Sequence, residues 1–186
     1  MGAIAAEAAP APPISLAELK AYLRVGTSEE DALLAGLARS ATDLCERFTG
    51  RLLIARRIEE VVPASRQWRR LGAAPVRAIE AVAALDETGK AEPLAAEAYA
   101  IDIDAAGEGW VRLAAARPEG RLRITYLAGL ASDANGVPEA VRQGIARLAA
   151  HFYAHRDDAE AAPPPAAVTA LWRPWRRLTL RGAAHV

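Results

Sequence analysis

A long amphipathic helix predicted at residues 29–49 constrains the fold of this chain more than any other feature. Its apolar side chains recur at steps of three and four residues and form one stripe. The members of the stripe are Leu33, Leu34, Leu37, Ala41, Leu44 and Phe48. Thr27, followed three residues later by Glu30, is a capping-box pattern that indicates the start of the helix. Gly50 tolerates a left-handed backbone and indicates its end. Such a stripe requires a partner surface.

Two further helices are predicted to supply that surface. The first spans residues 16–25, with Ser15 as its N-cap and Glu18 at the third position. The second spans residues 138–155 and opens on Pro138, which is favoured in a first helical turn. Its buried stripe is predicted to be Val141, Ile145, Leu148, Ala149 and Phe152. Together the three helices predict a small antiparallel bundle.

A run of short strands separates the second and third helices. Residues 56–127 contain short β-prone segments divided by turn residues. The clearest segment is 121–127, where Leu122, Ile124 and Tyr126 alternate with polar residues, as expected of a half-buried antiparallel strand. The fold class is therefore predicted as α+β, a helical bundle with a central antiparallel β insertion.

Both ends of the chain differ in composition from this single domain at 15–157. Residues 1–14 are rich in Ala and Pro and are expected to form a flexible arm. Residues 158–165 are acidic and then proline-rich, which favours an extended linker over a helix. Residues 166–186 are predicted to form a tethered C-terminal helical arm that orders only when it meets its partner.

The C-terminal arm is the best candidate for a binding segment, because Trp and Arg often dominate protein interfaces. Its candidate contact residues are Leu171, Trp172, Arg173, Trp175, Arg176, Arg177 and Leu178. One alternative is that the arm folds back onto its own domain as a last core helix. A basic amphipathic helix on a membrane is a weaker alternative, since the apolar face is short.

Charge and cysteine content exclude several classes of protein. The 23 Lys and Arg residues balance 23 Asp and Glu residues, so bulk charge does not favour nucleic acid or an anionic membrane. The lone Cys45 rules out an internal disulfide and is expected to be a small core residue. No signal peptide or membrane-length apolar run is apparent, so a cytoplasmic product is expected.

The sequence patterns predict no catalytic residue, cofactor or metal. His151 and His155 are four residues apart on one helix, a spacing that can bind a metal. However, Phe152 and Tyr153 occupy the positions where a zinc protease would carry its glutamate, and no third ligand is evident. A metal hydrolase built on the two histidines is therefore only a weak hypothesis for the function.

A nucleic-acid accessory protein is another hypothesis for the function. Arg69, Arg70 and the arginines of the C-terminal arm would then contact phosphates. Such binding would weaken steeply as salt is added.

Four stretches of this chain resemble one known family when their order and spacing are taken together. They are SLAELKAYLRVGTSEEDALLAGLARSATDLCERFTGR, RLRITYLAGL, GVPEAVRQ and LAAHFYAHRD. Across residues 15–157 the chain resembles the head–tail connector, or adaptor, family of long-tailed phages, prophages and gene transfer agents. The resemblance implies a structural ring beneath the portal vertex that joins the DNA-filled head to the tail. Residues 15–157 would be the connector domain and 166–186 the portal-binding arm.

The same resemblance implies the partners. They would be the portal protein, neighbouring copies in a twelve-fold ring that matches the portal, and a tail-side stopper or tail terminator protein. DNA would pass through the channel without sequence-specific binding, and no membrane would be involved. The protein would be made in the bacterial cytoplasm and reside at the head–tail junction. A ring also requires two different surfaces on each copy, and exposed strand edges of the β insertion are candidates for one of them.

Overall fold

A computed structural model describes residues 4–7, 10–115, 120–156 and 164–177. The fold is α+β, as predicted. Its residues group into two compact units. The first, here called the sheet unit, comprises Met1–Ala11 and Leu52–Val137, and the second, the helical unit, comprises Pro12–Arg51 and Pro138–Val186. Residues 15–157, expected to form one domain, therefore contribute to both units.

The described part of the helical unit contains four α-helices. They are α1 (Leu16–Leu23), α2 (Asp31–Thr49), α3 (Glu139–Ala154) and α4 (Ala166–Trp172). Helix α1 begins with the predicted capping box, in which Ser15 and Glu18 exchange side-chain and backbone hydrogen bonds. These bonds from Ser15, together with the nearby Arg142, lower the pKa of Glu18. Helix α2 ends as predicted, with Gly50 left-handed at φ 68°.

The predicted capping box at the start of α2 is wrong. The N-cap residue is Glu30, and no side chain caps this end of the helix. The Glu30 carboxylate instead accepts a hydrogen bond from the Tyr153 hydroxyl and pairs with Arg156 at 3.6 Å. A contact between distant parts of the helical unit has replaced the local cap.

The buried face of α2 also differs from the prediction. Leu33 and Leu44 are 41% and 37% exposed, respectively. The buried residues are Leu34, Ala38, Ala41, Cys45 and Thr49. Small side chains allow a neighbouring helix to approach closely, which explains why this face is buried. Cys45 is fully buried, as predicted, and its burial raises the pKa of the thiol.

Eight strands in two antiparallel sheets make up the sheet unit over the residues that the structure describes. They are β1 (Ile4–Ala6), β2 (Arg56–Pro63), β3 (Arg69–Arg70), β4 (Val76–Leu85), β5 (Ala91–Pro93), β6 (Tyr99–Ile103), β7 (Gly109–Leu113) and β8 (Arg121–Ala128). The larger sheet has the order β1-β2-β8-β4-β5, and the smaller has the order β3-β7-β6. Residues 4–6, expected to belong to a flexible arm, thus form an edge strand.

The central strand β8 carries the predicted alternation. Leu122, Ile124 and Tyr126 are all buried, whereas the residues between them are partly exposed. These three side chains join the apolar core of the sheet unit. The other members of that core are Ile58, Val62, Leu71, Val76, Val82, Val111, Leu113 and Ala128.

One polar network lies within this apolar core. The Tyr126 hydroxyl donates to Glu60 at 2.7 Å and accepts from the backbone N–H of Ala73 at 3.1 Å. Glu60, which is only 6% exposed, also accepts from the backbone N–H of Gly72 at 2.8 Å. Burying a carboxylate is unfavourable unless hydrogen bonds compensate it, so these bonds hold the 72–73 turn against β2 and β8.

Tyr126→Phe is expected to lower the free energy of unfolding by about 1 to 3 kcal/mol, because Glu60 loses a buried hydrogen bond and Ala73 a partly buried one. Urea unfolding followed by circular dichroism measures this change. Tyr99→Phe is the matched control, since Tyr99 is partly buried and its hydroxyl bonds to none of the described residues. Equal effects of the two substitutions would contradict the role given to the network.

Candidate functional site

The C-terminal segment, here defined as residues 164–177, packs within the helical unit. Helix α4 contacts both α2 and α3, and a 3-10 turn at Arg173–Trp175 follows it. Pro165 precedes the helix in an extended conformation, as its position at a helix start favours. The disorder expected for this part of the chain before assembly is therefore not observed in residues 166–177.

Trp172 anchors the segment. Its side chain is only 2% exposed, and its indole Nε1 donates to the backbone oxygen of Val141 at 3.2 Å. The ring occupies space left by Gly144 in α3, because a β-carbon on Gly144 would lie 2.2 Å from Nε1. Helix α3 can seat this tryptophan only with glycine at that position.

Phe48 at the end of α2 completes the aromatic contact. Its ring centroid lies 5.9 Å from that of Trp172, with the rings tilted by 51°. The Arg176 guanidinium carbon lies 5.3 Å from the Phe48 ring centroid, a cation–π arrangement. Phe48 therefore lies between a buried anchor and an exposed cation.

Two hydrogen bonds secure the last described turn of the chain. The backbone N–H of Arg177 donates to Thr49 oxygen at 2.7 Å. The Arg51 side chain donates from Nε to Trp175 oxygen at 3.0 Å. The end of α2 thus supplies both a carbonyl and a guanidinium to the C-terminal segment.

The candidate contact residues differ in how accessible they are. Trp172 is buried, so it serves as an anchor and presents no surface in this structure. Arg173 and Arg176 are exposed. The partly buried members are Leu171, Trp175 and Arg177, and Leu178 lies outside the described residues.

Sequence reasoning missed Gly144 as a site residue. A glycine inside a helix lowers helix propensity by about 1 kcal/mol relative to alanine, so its presence among good helix formers was a usable signal. The structure shows what the glycine allows, namely the close approach of the Trp172 ring.

The arginines of the nucleic-acid alternative do not all lie in one unit. Arg69 and Arg70 belong to the sheet unit, whereas Arg173, Arg176 and Arg177 belong to the helical unit.

The histidine pair lies at the end of α3. The two ring centroids are 4.2 Å apart, and His155 Nδ1 lies 2.8 Å from the backbone oxygen of His151. Asp157 and Asp158, the nearby carboxylates, lie outside the described residues. The described ranges contain no group of three or more His, Cys, Asp or Glu side chains placed to hold a metal.

None of the described helices has the length and apolarity needed to cross a membrane.

Comparison with known proteins identifies similar structures. No protein-family profile matches this chain, and no match was found among curated proteins. A chain from the neck of an empty gene transfer agent particle, computed with C6 symmetry, has a TM-score of 0.80 at 28% identity and covers 98% of both chains. The resemblance to the head–tail connector family is confirmed.

Two further structures agree with this result. A chain from the neck of a native gene transfer agent particle, computed with C12 symmetry, has a TM-score of 0.77 at 29% identity and covers 98% of both chains. A chain from the virion of a native gene transfer agent particle has the same TM-score and identity, and covers 97% of this chain and 98% of its own. The similarity thus includes both units and extends beyond the 15–157 region of the original resemblance.

Gly144→Ala is expected to displace α4, because the new methyl group would overlap the Trp172 indole. Overpacking of this kind lowers the free energy of unfolding by about 1 to 3 kcal/mol. Faster tryptic cleavage after Arg176, followed by mass spectrometry, measures the release of the segment, since trypsin does not cleave the Arg173–Pro174 bond.

Gly36→Ala is the matched control on α2. Its β-carbon would meet only the far end of Arg39, at 3.9 Å. This substitution is expected to raise stability by up to about 1 kcal/mol through helix propensity. If Gly144→Ala were as mild as Gly36→Ala, the seating of Trp172 would not need the glycine.

Proposed function

We propose that this chain is a non-enzymatic head–tail connector that forms a ring in the neck of a phage-like particle. The observation that carries the proposal is its similarity, over 98% of the chain, to a gene transfer agent neck component. Rings of 6 or 12 copies are consistent with the C6 and C12 symmetries of two similar structures. We favour twelve copies, matching the portal.

Within the particle, the ring would sit under the portal protein and above a tail-side stopper or tail terminator protein. DNA would pass through its channel without sequence-specific contacts, which agrees with a formal net charge of +0. The protein would be made in the bacterial cytoplasm and would act at the head–tail junction without a membrane partner.

The C-terminal segment is our candidate for the portal contact. Its candidate contact residues are Leu171, Trp172, Arg173, Trp175, Arg176, Arg177 and Leu178. Because Trp172 is buried, we assign it the role of fixing the segment to its own copy. The exposed Arg173 and Arg176, with the partly buried Trp175, would then face the portal. Anchoring before assembly would lower the entropic penalty of binding compared with a disordered arm.

Co-sedimentation with the cognate portal ring tests this assignment. The double variant Arg173→Glu and Arg176→Glu is expected to weaken binding about tenfold or more, since reversed charges oppose the original contacts. Arg147→Glu is the matched control, because Arg147 is an exposed arginine on α3 of the same unit. A chain ending at Ala162, which lacks the whole segment, is expected not to bind.

The outcomes separate the connector role from the role of the segment. Full binding by the double variant and by the shortened chain would assign the segment to another partner. Absence of binding by the unmodified chain would contradict the connector role and reopen the nucleic-acid alternative.

A further inference from the structure

The smaller sheet of the sheet unit has two open edges in the described part of the chain. Strand β3 forms one edge and β6 forms the other, and both pair only with the central β7. Open strand edges present backbone hydrogen-bonding groups that can pair with another chain. The apolar residues of β6 reinforce this, because Ile101 and Ile103 are 44% and 38% exposed.

On β3, Arg70 presents its backbone groups outward. The N–H of Leu71 donates to Gly109 oxygen on β7 at 2.8 Å. Arg69, two residues before Leu71, lies opposite Val111 of the same strand. Residues of an antiparallel strand alternate between those bonded to the partner strand and those facing away. The N–H and C=O of Arg70, between Arg69 and Leu71, therefore point away from β7.

On β6, Ile101 and Ile103 present their backbone groups outward. The N–H of Asp104 donates to Glu108 oxygen on the β7 side at 3.0 Å. By the same alternation, Asp102 also bonds to β7. The backbone groups of Ile101 and Ile103 therefore face the open edge.

We propose that neighbouring copies in the ring join these sheets edge to edge, with β6 of one copy alongside β3 of the next. This inference rests on the proposed ring function. Because β3 and β6 are both antiparallel to β7, they run in the same direction, and the joint between copies is a parallel pair. Two different edges of one sheet form a head-to-tail contact, which is the kind that closes a ring.

The outward groups define the register of this joint. In a parallel pair, one residue bonds to the two residues that flank its opposite. With Arg70 opposite Asp102 of the next copy, the Arg70 N–H donates to Ile101 oxygen and the Arg70 C=O accepts from the Ile103 N–H. Four of the six outward groups of these three residues are paired in this way, and the Ile101 N–H and the Ile103 C=O lie to either side of the two bonds.

The side chains agree with the same register. Arg70 and Asp102 are both exposed and lie on the same face of the sheet, since each pairs with Trp110. Arg70 also lies 3.9 Å from Glu108 of its own chain, which places its guanidinium on this face of the sheet. Opposite charges at the two edges favour the joint between copies.

The exposed Ile101 is covered in the same arrangement. It lies opposite Arg69, whose aliphatic stem can lie along an apolar surface while its charged end remains in water. Pairing β6 with a second β6 would instead bring the Asp102 carboxylates together, and pairing β3 with a second β3 would bring arginines together. Charge therefore favours a head-to-tail ring over a two-fold dimer.

Disulfide formation in assembled particles tests the joint. The variant with Arg70→Cys and Asp102→Cys places the two thiols on opposite residues of strands about 4.8 Å apart, within the range of about 4.4 to 6.8 Å that a disulfide spans. After mild oxidation of purified particles with copper phenanthroline, non-reducing electrophoresis should show dimers, trimers and higher multiples of this chain. Arg70→Cys with Ala100→Cys tests a register shifted by two residues.

The controls separate this joint from random linkage. Each single cysteine variant should remain monomeric, because the native Cys45 is fully buried. The matched pair Arg121→Cys and Asp102→Cys should not link, since Arg121 is exposed on β8, which pairs with β2 on one side and β4 on the other and is not an edge strand. Particles that contain the chain but show no ladder with either test pair overturn the joint. A product that stops at dimers overturns the head-to-tail arrangement.

If the chain is not a ring component of the particle, the experiment gives a different result from a missing joint. Particles purified from cells that make the unmodified chain would then lack it altogether, before any cysteine is introduced. That outcome overturns the proposed function, whereas a missing ladder in chain-containing particles overturns only the joint.

Charge exchange provides a second test that does not depend on disulfide geometry. Asp102→Arg alone and Arg70→Asp alone should each reduce incorporation into particles about tenfold, because like charges meet at every joint. Cells that make both variants together should recover incorporation, since alternating copies then place opposite charges at every joint. Circular dichroism of each purified variant verifies its fold. Normal incorporation of the single variants, or failure of the mixture to recover, overturns the joint.

Discussion

The seating of Trp172 against α3 is the interaction on which the helical unit depends. A bulky indole lies where Gly144 leaves room, and its N–H bonds to Val141 oxygen. Aromatic burial provides most of the stabilisation, and the hydrogen bond satisfies the polar end of the ring. Once α4 is placed, Thr49 and Arg51 hold the chain that follows it. The Trp and Arg residues that looked like one binding motif therefore separate into a buried anchor and an exposed basic face.

In the sheet unit, a buried polar network helps to position one of the open strand edges. Tyr126 and Glu60 fix the turn that follows β3. A fixed turn also fixes where β3 ends, and so the position of Arg70 at the open edge. In our proposals the two units have separate contacts, since the C-terminal segment faces the portal and the smaller sheet faces the neighbouring copy. A ring component needs both kinds of surface, because it must close on itself and still hold what lies above it.

Part of this fold could be predicted because it follows from local patterns. The Ser15 capping box, the Gly50 helix end and the alternation along β8 each depend on residues close in sequence. The same patterns failed where a distant residue competed. Glu30 is taken up by Tyr153 and Arg156 instead of capping α2, and Leu33 is left exposed because the helix buries its small-residue face. The seat of Trp172 was missed for the same reason, since a glycine within a helix can mark a close approach but does not indicate which distant side chain makes it.

The sequence by itself determined the α+β class, the order of the three main helices around a region of strands, and a combination of segments similar to head–tail connectors. Those features depend on periodicity, turn residues and spacing, which can be read along the chain. Only the tertiary structure decided which side of α2 is buried, which tryptophan is an anchor, and which strands form the open edges of the smaller sheet. These properties arise from packing between residues far apart in sequence. A helix with apolar residues on more than one face, or a strand with two possible neighbours, is assigned its partner only when the surrounding elements are in place.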